Sequence, residues 1–252
     1  MTDQYIQKRN RFGLLVKDYA KHRRGYPAEV FRAIRERLPT RDIDALDVGC
    51  GTGIVAYELS KFCRSVTGTD KEEEMIAEAN ISALSNSRFL VSPAETLPFS
   101  DSSFDLITVA QAFHWFDHEK TIAEFRRIIR PDSLIAIFRK RQKESARILA
   151  DFVWQVLGKY VDRARLPKNQ NDFFMLKDAG FASCEVLNIP YEELYTPDEY
   201  IGFLKSHSVY NLVPNEQREQ YIADMRQEMA KHLENDFVVI RGLIEMWLLH
   251  SS

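Results

Sequence analysis

Ala45-Leu46-Asp47-Val48-Gly49-Cys50-Gly51-Thr52-Gly53 decides how the rest of the chain is read. An apolar run ends at Val48, and glycines follow at alternate positions. A helical stripe of Ile54, Val55 and Leu59 then begins at once. Glycine lets the backbone turn tightly and approach a ligand with no side chain in the way. The helix start behind it is expected to aim free N–H groups and a partial positive charge at the same spot. Strand, loop and helix together predict a site for a cofactor with an anionic or strongly polar end.

Two cofactor classes compete for that loop. A dinucleotide fold asks for G-x-G-x-x-G, and its third glycine would fall at Ile54. The observed spacing is G-x-G-x-G, with Asp47 inside the strand. An acid there suits an ammonium group and repels a pyrophosphate. The stretch resembles the first motif of class I S-adenosylmethionine-dependent methyltransferases. That resemblance implies a Rossmann-like α/β fold, a doubly wound and mainly parallel seven-stranded sheet. It also implies S-adenosyl-L-methionine as cofactor, with Asp47, Gly49, Cys50, Gly51 and Gly53 around its methionine part.

Composition bounds the alternatives. The 252 residues suffice for one large domain or a domain with a cap. Hydrophobic content of 45% and charged content of 28% are ordinary for a globular protein. A net charge of −3 offers no basic field for nucleic acid. No apolar run approaches the ~20 residues that span a bilayer. The N-terminus (Asp3, Gln4, Lys8, Arg9) has no apolar core for a signal peptide. Cys50, Cys63 and Cys184 show no paired spacing, which points to a reducing, cytoplasmic setting and no cysteine metal site. The histidines are scattered, so no metal is expected. Cys50 reads as a small residue that fits the loop, not as a nucleophile.

Short apolar runs alternate with amphipathic stretches: strands at Asp44–Val48, Ser65–Thr69, Arg88–Val91, Phe104–Ala110 and Ser133–Phe138, helices at 54–62, 72–84 and 119–129. Such alternation means right-handed crossovers and a parallel sheet, with ligands beyond the carboxyl ends of the strands. Asp70 ends the second strand, where a carboxylate can accept both ribose hydroxyls; helix capping is the other role open to it, and Lys71 follows. Ser92-Pro93-Ala94-Glu95 stands where many methyltransferases show Gly-Asp-Ala-Glu. Pro93 lacks both a side-chain acceptor and an N–H, so the resemblance leaves adenine to the Ala94 N–H and the Glu95 carboxylate. Gln111-Ala112-Phe113-His114-Trp115-Phe116-Asp117 ends the fourth strand and resembles the trans-aconitate methyltransferase-like subgroup. Gln111 joins the cofactor set, and Phe113, His114 and Trp115 the acceptor set. An aromatic wall suits a sulfonium cation. His114 is the candidate general base, although a carboxylate acceptor would need none. The Asn/Asp-Pro-Pro-Tyr/Phe motif associated with amide and exocyclic nitrogens is absent. Arg130-Pro131-Asp132-Ser133 replaces the family's Arg/Lys-Pro-Gly-Gly, which suggests a different turn. Arg139 to Lys143 reads as a solvated strand end.

Upstream, Tyr19, Arg23 and Tyr26-Pro27 resemble the Tyr-x-x-x-Arg-Pro-x-Tyr-Pro entry of the same subgroup, which packs over cofactor or substrate; Arg24 replaces its proline. Beyond 143 an amphipathic helix (Ile148 to Leu157) precedes a helix over Asp172–Ala179, a stop at Gly180 and a strand at Cys184–Ile189. Thr196-Pro197-Asp198-Glu199 is a capping-box signature. A second helix carries Ile222, Met225 and Met229, and Phe237–Leu249 closes as a strand. The expected organisation is one domain: a lid over 1–27, a core of 28–142, 171–195 and 236–252, and a helical cap of 143–170 and 196–235. The cap would lie near the open end of the sheet, with His207 and Tyr210 toward the acceptor. The expected partner is a small-molecule acceptor, a carboxylic acid by the subgroup resemblance, with the chain as monomer or homodimer. A cofactor-binding module without chemistry and a nicotinamide-dependent oxidoreductase are the rival readings.

Overall fold

The computed structural model describes residue 16 and residues 21–38, 42–142, 147–162 and 173–251. Seven strands form one sheet: β1 (Asp44–Val48), β2 (Ser65–Asp70), β3 (Ser87–Val91), β4 (Phe104–Ala110), β5 (Ile129–Gln142), β6 (Ser183–Tyr195) and β7 (Val238–His250). Their order is β3-β2-β1-β4-β5-β7-β6. The pairs β1–β2, β1–β4, β2–β3 and β4–β5 are parallel. β7 runs the other way: its end meets the starts of β5 and β6, with Ser251 N–H on Ser133 O (3.0 Å) and Ala182 N–H on His250 O (2.8 Å). Four of the five β1 residues are buried, as expected of a central strand covered on both faces. β3 forms an edge, and its Leu90 and Val91 are exposed.

The described helices are α1 (Ala28–Arg35), α2 (Ile54–Ser60), α3 (Glu73–Ile81), α4 (His118–Ile128), α5 (Arg147–Leu157), α6 (Pro197–Lys205) and α7 (Arg218–Met229). α4 shows how its sequence places it. Asp117 caps it by accepting the Lys120 N–H, and Thr121, Phe125 and Ile128 form its buried stripe. That stripe packs in one core with Leu46, Ile107, Ile135 and Trp247. The capping box at Thr196 and Glu199 opens α6.

Three segments depart from their sequence readings. β5 starts at Ile129, not Ser133, because a register shift takes up the turn signal: Phe104 pairs with Ile129 but Leu106 with Leu134. Asp132 adopts a left-handed φ of 53° in that shift. That is a conformation which favours glycine. Residues Phe174–Asp178 form a 3₁₀ turn, not the α-helix read over Asp172–Ala179, whose first residue lies outside the described ones. Arg139 is not solvated: it pairs with Glu245 (Nη2 to Oε2, 2.7 Å) and lies over the rings of Phe173 and Trp247.

The chain separates into two compact units. One comprises 25–140, 169–189 and 244–252, the other 1–24, 141–168 and 190–243. Three of the boundaries fall within β5, β6 and β7. The second unit therefore carries strand at 190–195 and 238–243 beside α5, α6 and α7, and is not purely helical. No described helix is long and apolar enough to cross a membrane.

Candidate cofactor site

The strand order reverses between β1 and β4. Sheets of this kind bind ligands at the carboxyl ends flanking such a reversal. Asp47 and Asp70 lie near the carboxyl ends of β1 and β2, and the glycine loop, Ala94, Glu95 and Gln111 to Phe116 follow β1, β3 and β4, all within 25–140.

Gly49, Gly51 and Gly53 have φ of 69°, 53° and 85°. At Gly49 glycine is required twice over. The backbone is left-handed, and a Cβ would stand 2.6 Å from Ala112 Cβ and 3.0 Å from Phe116 Cζ. The loop thus fits under the 111–116 segment with no room for a methyl group.

Four amides of the loop have partners within the protein. Gly49 N–H and Cys50 N–H donate to Thr69 O (2.7 and 2.9 Å), Gly51 N–H to Asp70 Oδ2 (2.9 Å) and Gly53 N–H to Cys50 O (3.0 Å). These four donors are engaged within the protein, and α2 is only seven residues long. A pyrophosphate cradle needs such donors. Beside these engaged amides stands carboxylate oxygen, which suits cations and hydroxyls.

Two acids supply it. Asp70 also accepts the Glu72 N–H on Oδ1 (3.0 Å). A carboxylate has about four acceptor positions, so each oxygen keeps one. Burial raises the Asp70 pKa, while the Glu72 and Gly51 amides oppose that and the exposed Lys71 lowers it by charge. Asp47 is 1% exposed; its Oδ1 accepts the Thr108 hydroxyl (2.7 Å), and its buried Oδ2 has no partner. Burial pushes its pKa up to about 7, against the Thr108 hydrogen bond and with help from Asp70. Thr108 was not singled out from sequence. The available signal was a hydroxyl inside the apolar run of β4. Cys50 is buried, and desolvation with the charges of Asp47 and Asp70 raises its thiol pKa well above the ordinary value. It is the protonated, unreactive form that the loop holds.

After β3, Ser92 N–H donates to Asp70 O (2.9 Å), and Ala94 is buried. The Glu95 Oε1 atom accepts the Asp117 N–H (2.9 Å). Part of the carboxylate assigned to adenine therefore holds the start of α4. After β4, Gln111 takes a left-handed φ of 55°, and its N–H donates to Phe138 O (2.9 Å). Non-glycine residues are held there only when their surroundings impose it, and such strain gathers at functional sites. Residues Phe113–Trp115 then form a 3₁₀ turn. Phe113 is a correction: it is 1% exposed, stacked on His118 (4.3 Å between centroids) and edge-on to Phe173 (5.3 Å), so its ring belongs to the core. Trp115 and Phe116 are half-buried, and the His114 ring lies 4.8 Å from that of Trp115.

The remaining expected site residues fall elsewhere. Tyr19 lies outside the described residues. Arg23, His207 and Tyr210 belong to the other unit. Arg23 Nε donates to Ser206 Oγ (3.0 Å), and its guanidinium lies 5.2 Å from the Phe203 ring centroid. His207 packs edge-on to that ring (4.5 Å), with Nδ1 at 2.9 Å from Phe203 O. Burial, then the Arg23 charge, push its pKa down to about 3. It is therefore neutral near pH 7. Tyr210 lies under Arg218, 4.8 Å from the guanidinium carbon.

Residues 46–137 match the family profile described as a methyltransferase domain. The match runs from the residue before Asp47 through β4 and the 111–116 segment into β5. Over these residues the chain is similar to methyltransferase domains. The chain is 28% identical over 224 residues to an uncharacterised methyltransferase of Mycobacterium tuberculosis, covering 88% of this chain and 86% of that one. It is 29% identical over 208 residues to the ubiquinone/menaquinone biosynthesis C-methyltransferase UbiE of Rickettsia bellii, covering 70% and 79%. A solved structure from Anaeromyxobacter dehalogenans, assigned as a type II methyltransferase, superposes with a TM-score of 0.68 at 24% identity, covering 90% of this chain and 96% of that one. That likeness concerns the fold. The orphaned Asp47 oxygen, the engaged loop amides and the spare acceptor positions of Asp70 fit the donor, S-adenosyl-L-methionine, which presents an ammonium, a sulfonium and two ribose hydroxyls.

Proposed function

We propose that the enzyme methylates a small-molecule acceptor, a carboxylic acid, with S-adenosylmethionine held at the carboxyl ends of β1, β2 and β4. The observation that carries the donor assignment is a glycine loop whose amides are engaged, flanked by Asp47 and Asp70. Asp70 holds the ribose, and Asp47 compensates the ammonium charge from beneath the loop that Gly49, Cys50, Gly51 and Gly53 form. The turn at Ala94 receives the adenine, with Lys71 and Gln111 at the margins. The bound cofactor supplies an electrophilic methyl group on a sulfonium. The chain's own task is to place the acceptor atom in line with it and to exclude water. Trp115 and Phe116 offer ring faces to the cation. The carboxylic acid rests on the resemblance of Gln111 to Asp117 and on the missing nitrogen-methylation motif. Transfer of labelled methyl to a panel of carboxylic acids, amines and phenols tests it; labelling of amines or phenols alone would replace it.

A carboxylate acceptor is already ionised near neutrality, so no base is required. His114→Gln is then expected to lower kcat less than about tenfold, whereas loss of a general base costs about 10²–10⁴-fold. Steady-state kinetics with the acid from the panel distinguish the two.

Asp47 predicts a pH dependence. Its pKa of about 7 lies above the ordinary 3.8. In the free protein its contribution to stability is full below the ordinary value and is lost as pH rises through about 7. A neighbouring ammonium favours the carboxylate, so binding releases a proton below about pH 7. Affinity for S-adenosylhomocysteine is expected to rise as pH increases through 7 and then level off. 5′-Methylthioadenosine, which lacks the ammonium, should show no rise, and Asp47→Asn should flatten the profile. Calorimetric titration at several pH values checks this. A flat wild-type profile with S-adenosylhomocysteine would remove Asp47 from the donor site.

A further inference from the structure

The segment after β3 is held at both ends. Its start is tied to β2 by Ser92 N–H on Asp70 O (2.9 Å). Its tail is bound to α4: Leu97 N–H donates to Glu124 Oε2 (2.8 Å), and Arg127 donates to Leu97 O (3.1 Å) and Phe99 O (2.7 Å). Arg127 and Glu124 are themselves paired (2.8 Å). Between these anchors lies Glu95, whose carboxylate reaches across to the Asp117 N–H (2.9 Å). That amide ends the His114–Trp115 turn and opens α4. Asp117 is exposed and Glu95 half-buried, so their bond competes with water, unlike the anchored Glu124–Arg127 pair.

We infer that Glu95 is a clasp between the two halves of the active site: a positioning residue that transmits donor binding to the Phe113–Asp117 turn. This rests on the donor site proposed above. Glu95 neighbours Ala94, where that reading puts the adenine, and Asp117 neighbours Phe116, whose ring covers Gly49. A ligand that settles the 92–97 turn fixes where the Glu95 carboxylate stands. The Asp117 amide is then held with it, and the aromatic turn is ordered before the acceptor arrives. By reciprocity, an acceptor that orders the turn favours the donor. The interaction needs only an acceptor oxygen at position 95. Gln can supply one and Ala cannot.

Amide hydrogen exchange with S-adenosylhomocysteine as the probe tests this in the full chain. In the wild type the ligand should slow exchange at residues 49–54 and again at 113–120. In Glu95→Ala, at a ligand concentration that saturates the variant, the protection at 49–54 should persist, while the ligand-induced protection at 113–120 falls about tenfold, the scale of one hydrogen bond to a charged group. Glu95→Gln should retain it. A merely structural role would change exchange in the free protein without changing the ligand-induced difference. Equal ligand-induced protection at 113–120 in Glu95→Ala and wild type, or a Glu95→Gln variant that behaves like the alanine, overturns the clasp. Absence of protection at 49–54 in the wild type overturns the donor site and the clasp with it.

Discussion

Asp70→Ala is expected to weaken S-adenosylmethionine binding by about 100-fold, the scale of two lost hydrogen bonds to a charged group. The carboxylate has two tasks. It accepts the Gly51 and Glu72 amides, which shapes the glycine loop and the start of α3. In the proposed reading its remaining acceptor positions take the ribose. The alanine variant loses both, and the freed amides lower stability by about 1–3 kcal/mol. Asp70→Asn separates the two tasks, because it keeps one acceptor oxygen and replaces the other by a donor. It should recover only part of the stability lost in the alanine variant, because one of the two amides keeps its acceptor while the other meets a donor, yet bind the donor weakly. Calorimetry for affinity and thermal melting for stability read the two effects apart. Unchanged affinity in Asp70→Ala would remove the ribose assignment.

Gly49→Ala should be strongly destabilising, because a left-handed backbone and a closed space both oppose the methyl group. A left-handed non-glycine residue costs about 1–2 kcal/mol, and forcing a methyl into a packed contact costs about 1–3 kcal/mol more. The contact here is with Ala112 Cβ and Phe116, so relief requires the 111–116 segment to lift. Gly25→Ala is the control: nothing lies nearer its added Cβ than Ile54 at 3.7 Å, so stability should stay within about 0.5 kcal/mol of wild type. The pair Gly49→Ala with Ala112→Gly should recover part of the loss, because only the shortest contact is removed. Denaturant melts of the four proteins check the order. A Gly49→Ala variant as stable as Gly25→Ala would mean that the loop and the aromatic segment do not pack as described.

What could be read from the chain follows from what each residue type announces. Gly49, Gly51 and Gly53 announce themselves, since few other residues adopt their backbone conformation at no cost. The parallel strands were legible because central strands are apolar on both faces, and β1 and β4 keep their read bounds. Local chemistry was legible too, as at the capping box of α6. Contacts between distant segments were not. The Glu95–Asp117 bond spans 22 residues and the Arg139–Glu245 pair 106, and neither partner carries a local mark of the other. Gln111 and Asp132 take left-handed conformations that their side chains do not advertise. Consecutive aromatic residues also resist assignment. A 3₁₀ turn rather than a strand decides that Phe113 faces the core while Trp115 and Phe116 stay half-buried. The engaged amides of the glycine loop depend on Thr69 and Asp70 of the neighbouring strand, and only the folded register brings these within reach.

The most direct test of the donor site is a crystal structure of the enzyme with S-adenosylhomocysteine. Both ribose hydroxyls should lie within hydrogen-bond distance of the Asp70 carboxylate, the adenine against the turn at Ala94 and the amino-acid end over the Gly49–Gly53 loop. A nucleoside bound with its ribose away from Asp70, or a ligand seated elsewhere on the chain, would contradict it.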